Sequence, residues 1–317
     1  MTSKDSKIYI AGHRGMVGSA CWRALTETGY TNLIGKTSKE LDLKDQTAVE
    51  NFIRSEKPDA IIDAAARVGG ILANDTYPYE FLMDNMLIQN NLIRSAHEND
   101  IEKFIFLGSS CIYPKHAKQP LKEEYLLTGP LEPTNEWYAI AKISGVKLIE
   151  AIRKQFGRDY LSLMPTNLYG PNDNFDLNTS HVLPAMIRKF HEAKMDNHSS
   201  VTLWGSGSPM REFLHVDDLA SAVVFALENT LDEHLYNVGS GSDITIKSLA
   251  KMVQKIVGHK GEIIWDDTKP DGTPRKLMDS YKLNALGLRS EMDLDSGILN
   301  TYNWFLENNL NKKEIKI

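Results

Sequence analysis

The feature that most constrains this chain is a glycine-rich loop near its start, in the segment IYIAGHRGMVGSA. An apolar run over residues 7–11 precedes three glycines spaced G-x-x-G-x-x-G, and a helical pattern over residues 16–28 follows them. Such glycines allow a tight turn and a close approach of the backbone to a pyrophosphate at the helix N-terminus. A glycine-rich turn without a ligand is the alternative, which the position after a first strand disfavours. The predicted cofactor loop comprises Gly12, His13, Arg14, Gly15, Met16, Val17 and Gly18.

The rest of the first half alternates short apolar runs with longer helical patterns. This alternation predicts an α/β fold with a doubly wound parallel sheet, the Rossmann architecture, because helices must cover both faces of such a sheet. The predicted strands cover residues 32–35, 59–65, 103–107 and 159–164, and the predicted helices cover residues 47–56, 80–98 and 135–156.

The pattern loosens after about residue 170. Predicted helices over 182–194, 219–228 and 246–257 alternate there with short strands over 201–204 and 235–238. We therefore expect an NADP-binding Rossmann domain over residues 1–170. A smaller C-terminal substrate-binding lobe, partly interleaved with it, would occupy residues 171–317.

Composition narrows the function classes. The 317 residues carry a formal net charge of -6, which disfavours a nucleic-acid-binding surface. The two cysteines, Cys21 and Cys111, make a disulfide framework improbable and suit a reducing compartment. We find no signal-peptide pattern and no run of 18 apolar residues, and we expect a cytoplasmic enzyme with no membrane partner and no metal.

The end of the second predicted strand indicates which nicotinamide cofactor would bind. NAD enzymes place an acidic residue there to hold the ribose 2′-hydroxyl. This chain has Lys36 and Lys39 around two hydroxyl residues, and Arg14 adds a guanidinium suited to a phosphate; Glu40 comes late for the NAD role. The pattern favours NADP(H), although the lysines could also be ordinary surface charges.

A serine and a Tyr-x-x-x-Lys pattern supply the candidate catalytic groups. Tyr138 and Lys142 are four apart and share one helix face, where we expect the ammonium to lower the pKa of the phenol. Tyr138 would then be a general acid/base. Ser109 and Ser110 end the fourth predicted strand, at the edge of the sheet where ligands bind. Alone, Tyr138 would more often be a packed helix residue; its combination with the glycine loop favours catalysis.

Several longer stretches together resemble the GDP-L-fucose synthases, a branch of the extended short-chain dehydrogenases/reductases. They are AGHRGMVGSA, AARVGGI, GSSCIYP, LEPTNEWYAIAK, MPTNLYGPNDNF, HVLPA, WGSG, MREFLHVDD and KPDGTPRKL, and they span residues 7 to about 308 in order. The resemblance implies NADPH, a GDP-sugar substrate and a homodimer built through a four-helix interface. It also implies epimerisation at C3 and C5 of a 4-keto sugar, followed by reduction at C4.

The resemblance assigns roles residue by residue. Ser109, Tyr138 and Lys142 match the reductase triad, and Cys111 and His181 match the epimerisation pair. Besides the glycine loop, the matching cofactor contacts are Lys36, Leu107, Gly108, Ser109, Ser110, Lys142, Pro165, Thr166, Asn167, Leu168 and His181. The matching nucleotide-sugar contacts are Lys189, Trp204, Arg211 and Asp271, with Arg275 and Lys276 as further cations.

Other interpretations of these residues remain open from the sequence. Cys111 could be a buried small apolar residue, as Cys21 is expected to be, and His181 a polar residue at a helix start. Trp204 could be a core aromatic and Arg211 a surface ion-pair partner. For the whole chain, the alternatives are an enzyme for a related GDP-4-keto heptose or 3,6-dideoxy sugar and a cofactor-binding regulator without turnover. A regulator would be expected to lack Tyr138 or Lys142, and both are present.

Overall fold

Three strands in the first half are buried at every position, so both faces of their sheet are covered. They are β1 (Ile8–Ala11), β3 (Ala60–Asp63) and β4 (Lys103–Leu107). The computed structural model describes residues 2–269 and 271–313, so the predicted domain ends at residues 1 and 317 lie outside the described residues. With β2 (Leu33–Ile34), β5 (Asp159–Pro165) and β9 (Leu235–Val238), these strands form a six-stranded sheet.

The central sheet has the strand order β2-β1-β3-β4-β5-β9, and every pairing in it is parallel. The predicted doubly wound parallel fold is therefore confirmed. The chain passes from β2 across β1 to β3, so the strand order reverses at β1 and opens a crevice beyond the carboxyl ends of β1 and β3. The last strand, β9, comes from the second half of the chain. The proposed division near residue 170 stays a prediction.

The seven predicted helices lie close to their predicted positions; the largest shift is in the helix predicted from residue 219, which begins at Val216. They are α1 (Met16–Glu27), α2 (Gln46–Glu56), α4 (Pro78–Glu98), α5 (Glu136–Phe156), α6 (Val182–Met195), α7 (Val216–Glu228) and α8 (Ile246–Val257). Three further helices were not predicted from the sequence: α3 (Ile71–Thr76), α9 (Tyr281–Ala285) and α10 (Leu294–Lys313). Within the described residues, no helix is long and apolar enough to cross a membrane.

Two smaller sheets build the second half and include strands that the sequence did not predict. In one, β8 (Met210–His215) pairs with β6 (Asn167–Tyr169), β10 (Asp243–Thr245) and β12 (Arg275–Lys276). In the other, β7 (Ser200–Trp204) pairs with β11 (Glu262–Asp266). The strand β8 carries an arginine, a glutamate and a histidine, and these polar residues conceal the apolar pattern of a strand.

Helix α5 lies unusually close to the central sheet because Gly145 has no side chain. A Cβ atom there would be 2.5 Å from the Phe106 ring of β4. The helix ends at Gly157, whose φ of 70° suits glycine. The close approach brings the polar end of α5 against the carboxyl end of β4.

The buried amide of Asn237 on β9 ties the two halves of the chain together. Its Oδ1 accepts a hydrogen bond from the Tyr113 hydroxyl, and its Nδ2 donates to the carbonyls of Leu121 (2.9 Å) and Asp279 (3.2 Å). Among the described residues the buried Tyr113 hydroxyl has no other hydrogen bond, whereas the Leu121 carbonyl also accepts one from the Asp279 backbone N–H at 2.8 Å.

We expect Asn237→Leu to lower the free energy of unfolding by about 2–4 kcal/mol, because several buried polar groups lose their partner at once. Urea denaturation followed by circular dichroism measures this. The matched control is Asn32→Leu at an exposed site, which should change the free energy of unfolding by less than about 0.5 kcal/mol. Equal effects of the two substitutions would contradict the role given to Asn237.

Candidate active site

The glycine loop joins β1 to α1 with a geometry that requires two of its glycines. Gly12 has a φ of +77°, and a Cβ atom on it would lie 2.8 Å from the Ala64 carbonyl oxygen after β3. A Cβ atom on Gly18 would lie 2.2 Å from the Gly12 oxygen. Gly15 is the N-cap residue of α1, and no side chain caps this helix end. The uncapped N–H groups, with glycines at positions 12, 15 and 18, fit a pyrophosphate.

His13 packs within the loop. Its ring lies against Gly35, where a Cβ atom would be 2.5 Å from it, and 5.7 Å from the Trp22 ring between centroids. Burial, with a contribution from Arg14, lowers the pKa of His13 below its ordinary value, so the ring is neutral at neutral pH. His13 therefore holds the loop to the end of β2 as a packed, uncharged residue.

Of the three cations predicted to select a 2′-phosphate, Lys39 is exposed, and Arg14 and Lys36 act on a common neighbour. Arg14 is exposed, Lys36 is half-buried, and both act electrostatically on the Glu40 carboxylate. That carboxylate accepts hydrogen bonds from the Thr37 backbone N–H (2.8 Å) and hydroxyl (2.6 Å), which hold it on its own loop. Two cations facing one fixed carboxylate leave net positive charge at the end of β2, which fits NADP(H).

The predicted contacts for the other end of the cofactor follow β4 and β5. Leu107 and Ser110 are buried, and Gly108 packs so tightly on Met164 that a Cβ atom there would be 2.0 Å from the methionine methyl group. Because parallel strands end at one edge of the sheet, these residues and those after β5 line the same crevice. At the end of β5 and in the segment that leads into β6 these residues are Pro165, Thr166, Asn167 and Leu168, of which Asn167 donates to the Glu212 carbonyl at 2.7 Å.

Lys142 lies at the centre of the candidate site. Its side chain is 2% exposed, and Nζ donates to the Leu107 carbonyl at 2.8 Å and lies 4.5 Å from the Phe106 ring centroid. Burial lowers the pKa of Lys142, and the nearby Asp63 and Cys111 oppose this. The ammonium is thus directed to the end of β4, 6.0 Å from the centroid of the Tyr138 ring.

The prediction that Lys142 lowers the pKa of Tyr138 is wrong. Burial raises the pKa of the Tyr138 phenol well above its ordinary value, and Cys111 and Asp63 raise it further. The physical reason is that the Leu107 carbonyl and the Phe106 ring hold the ammonium away from the phenol. Tyr138 therefore carries its proton at neutral pH and is suited to donate it.

Ser109 and Cys111 are fixed by a short 3-10 helix, Ser110–Ile112, that follows β4. The Ser109 hydroxyl accepts a hydrogen bond from the Cys111 backbone N–H at 3.4 Å, and its own hydrogen stays available for a ligand oxygen. Burial raises the pKa of the Cys111 thiol, while the ammonium of Lys276 opposes this shift. Cys111 is consequently a thiol at rest.

His181 is the N-cap residue of α6, and the residue is exposed to solvent. Desolvation by nearby protein atoms, followed by the charge of Lys276, lowers the pKa of His181 below its ordinary value. Lys276 therefore acts electrostatically on both Cys111 and His181. A thiol and a neutral imidazole supply one acid and one base.

The four predicted nucleotide-sugar contacts form a second group, on the C-terminal lobe. Trp204 is 56% exposed, with the Nζ of Lys189 at 5.9 Å and that of Lys269 at 5.5 Å from its ring. Asp271 accepts hydrogen bonds from the Ser206 N–H (2.8 Å) and hydroxyl (2.7 Å), and it acts electrostatically on Arg211. Because Arg211 pairs in register with Lys276 on β12, this group continues into the catalytic cleft.

Three residues contribute to the site without having been assigned a role from the sequence. Asp63 and Lys276 are buried or half-buried charges beside the catalytic groups, and a charged residue inside a short strand gives no local signal of its partners. Gly70 lies against the loop before His181: its N–H donates to the Thr179 carbonyl at 2.9 Å, and a Cβ atom would be 2.7 Å from the Ser180 oxygen. Within the described residues, no group of three or more His, Cys, Asp or Glu could hold a metal ion.

This geometry agrees with a family assignment. A model of the NAD dependent epimerase/dehydratase family matches residues 8–239. The chain therefore belongs to the NAD dependent epimerase/dehydratase family.

Full-length relatives narrow the assignment within that family and confirm the resemblance to GDP-L-fucose synthases. A putative GDP-L-fucose synthase 2 of Arabidopsis thaliana is 57% identical over 314 residues, covering 99% of this chain and 96% of that protein. The GDP-L-fucose synthase of Escherichia coli K12 is 55% identical over 312 residues, covering 95% and 97%. Among solved structures, the GDP-mannoheptose C4 reductase MlghC of Campylobacter jejuni with NADP bound is 38% identical, with a TM-score of 0.89, covering 96% of this chain and 100% of that one.

We expect Gly70→Ala to displace the loop that carries His181, because the new Cβ atom would overlap the Ser180 carbonyl. NMR signals of the His181 imidazole, assigned with a His181→Gln variant, should shift while the fold is retained. Gly129→Ala is the control, since its nearest contact is a side-chain carbon of Pro114 at 3.3 Å, which needs to move by only a few tenths of an ångström. Unchanged His181 signals in Gly70→Ala would contradict this contact.

Proposed function

We propose that this chain is an NADPH-dependent 3,5-epimerase and 4-reductase that converts GDP-4-keto-6-deoxy-D-mannose to GDP-L-fucose. The observation that carries the proposal is 55–57% identity to GDP-L-fucose synthases over nearly the full chain. It is supported by the electrostatic action of Cys111 on both Tyr138 and Lys142, and of Lys276 on both Cys111 and His181. A reductase site and an acid/base pair are thus available to one sugar.

For the reduction, the residues provide a proton and a place for developing negative charge. NADPH, when bound, supplies the hydride for C4. Tyr138, whose raised pKa keeps it protonated, donates its proton to the C4 oxygen. The Ser109 hydroxyl donates a hydrogen bond to the same oxygen, and Lys142 contributes positive charge beneath it.

For the epimerisations, the ketone at C4 acidifies the hydrogens at C3 and C5. Removing either hydrogen places negative charge on the C4 oxygen, which Ser109 and Tyr138 stabilise by hydrogen bonding. Cys111 and His181 exchange protons with the two carbons, one group accepting and the other donating. Lys276 favours the thiolate of Cys111 and disfavours the imidazolium of His181, and so biases how the proton is shared.

For the nucleotide, the exposed Trp204 offers a face on which guanine stacks, with Lys189 and Lys269 above its ring. Arg211 is suited to the diphosphate. Asp271, occupied with Ser206, fixes the turn after Trp204 as well as facing the ligand. Each of these assignments is part of the proposal.

The second candidate substrate is a GDP-4-keto heptose, because the C. jejuni heptose reductase shares this fold at 38% identity. The higher identity to GDP-L-fucose synthases favours the 6-deoxyhexose. The heptose carries the larger substituent at C5, so the space around C5 in the site distinguishes the two substrates.

The test uses purified enzyme with GDP-4-keto-6-deoxy-D-mannose, monitoring NADPH oxidation at 340 nm and identifying the product by NMR. The wild type should produce GDP-L-fucose. Cys111→Ser should lose exchange of the C3 and C5 hydrogens with deuterated solvent by about a hundredfold or more, because it loses one of the two acid/base groups, while its affinity for NADPH is retained.

The matched variant Tyr138→Phe removes the proton donor and keeps the Cys111 and His181 pair. It should abolish NADPH oxidation. If the wild-type product keeps its original C3 and C5 configuration, the reductase assignment stands and the epimerase assignment is refuted.

If the wild type turns over only a GDP-4-keto heptose, the proposed substrate is replaced and the proposed site residues stand.

We further propose a homodimer in the cytoplasm. Helices α4 and α5 lie side by side and expose one apolar face, formed by Tyr79, Met83, Leu87, Trp137 and Ile140. Two copies of this two-helix face would make a four-helix interface. Both cysteines are free, which suits a reducing compartment.

Sedimentation equilibrium should give about twice the chain mass of 35.7 kDa, and Leu87→Arg should lower it to the mass of one chain because it buries a charge in the interface. A wild-type monomer would refute the dimer. Fractionation of cells tests the location.

A further inference from the structure

A buried carboxyl group at the end of β3 has no part in the chemistry proposed above. Asp63 is 0% exposed. Its Oδ1 accepts a hydrogen bond from the Ala65 backbone N–H at 3.2 Å, whereas its Oδ2 is buried and has no hydrogen-bond partner among the described residues. Burying a carboxylate with one unsatisfied oxygen is costly. The charges near Asp63 therefore determine whether it is ionised.

The sheet register places Asp63 on the same buried face of the sheet as the Lys142 ammonium. Asp63 pairs with Ala11 of β1 on one side and with Phe106 of β4 on the other. Residues in register on neighbouring strands point to the same face of the sheet, and Phe106 points to the face that α5 covers. Lys142 Nζ lies 4.5 Å from the Phe106 ring, so the carboxyl and ammonium groups occupy adjacent positions in one buried layer.

The other groups in this layer are neutral. Burial raises the pKa of Tyr9 of β1 and of Tyr138 of α5; Asp63 raises that of Tyr9 further, and Cys111 and then Asp63 raise that of Tyr138, so both phenols stay protonated. Cys111 is a thiol, and α4 contributes the amides of Asn85 and Gln89. Burial raises the pKa of Asp63 to about 6, while Lys142 opposes the shift. Above that pH, the Asp63 carboxylate and the Lys142 ammonium are the two opposite charges in this buried layer.

We propose that Asp63 is a positioning residue that keeps the Lys142 side chain protonated and directed to the reacting oxygen. The inference rests on the proposed reductase function of Lys142. Without Asp63, a desolvated ammonium would keep the Leu107 carbonyl as its hydrogen-bond partner and lose its nearby negative charge. It would then release its proton at a lower pH.

The test is Asp63→Asn, which keeps the size and the hydrogen bond from Ala65. The alkaline limb of the pH profile of kcat/KM for NADPH oxidation should move to lower pH by about 1–3 units, the usual effect of a nearby opposite charge. Activity relative to wild type should therefore recover as the pH is lowered from 8 to 6. A loss that is constant across pH would overturn the inference.

A second measurement does not depend on turnover. In protein labelled with 13C and 15N at lysine, the Lys142 side-chain signals, assigned with Lys142→Met, should titrate at lower pH in Asp63→Asn than in wild type. Ile62→Val, on the opposite face of the same strand, is the control and should leave the titration unchanged. Identical titration in Asp63→Asn and wild type would overturn the role of Asp63. If the Lys142 titration shifts in Asp63→Asn but the wild-type protein shows no NADPH oxidation, the role of Asp63 is supported and the proposed function is refuted.

Discussion

The hydrogen bond from the Lys142 ammonium to the Leu107 carbonyl is the contact on which the candidate site depends. It joins α5 to the end of β4 inside a layer that excludes water, where an unpaired ammonium would cost several kcal/mol. Two features of the fold support this hydrogen bond. Gly145 lets α5 approach Phe106 closely enough for the side chain to reach, and the end of β3 places a carboxyl group beside it. The Tyr138 phenol, the Ser109 hydroxyl and the Cys111 thiol are then arranged around a fixed charge.

A second set of buried polar contacts attaches the C-terminal lobe to this edge. The carboxylate of Glu212 on β8 accepts from the backbone N–H groups of Gly241 (2.7 Å) and Met278 (2.9 Å). Its own carbonyl accepts from Asn167, in the cofactor-facing segment after β5. Arg211 and Lys276 lie on the strands that this network joins, so the proposed nucleotide contacts and the proposed catalytic residues are held by one set of hydrogen bonds.

Local patterns were sufficient to predict the parallel sheet and the cofactor loop. The glycine spacing indicates a backbone requirement directly, because a side chain on Gly18 would overlap the Gly12 carbonyl and one on Gly12 would overlap the backbone after β3. Strands such as β1 are apolar throughout and short, so their pattern is unambiguous. The strands of the second sheet escaped prediction because the charged residues Arg211, Glu212 and Lys276 lie within them.

The ionisation of Tyr138 could not be predicted from its spacing to Lys142. Four residues on a helix place two side chains on one face, but the spacing does not say which acceptor captures the ammonium. That acceptor is the Leu107 carbonyl, which belongs to a strand distant in the sequence. The consequence for mechanism is favourable: a phenol that keeps its proton is an acid throughout the pH range in which a ketone is reduced. The same protonated phenol also stabilises an enolate without giving up its proton. One residue can thus serve both epimerisation and reduction, because in each step its partner is the same negatively charged oxygen.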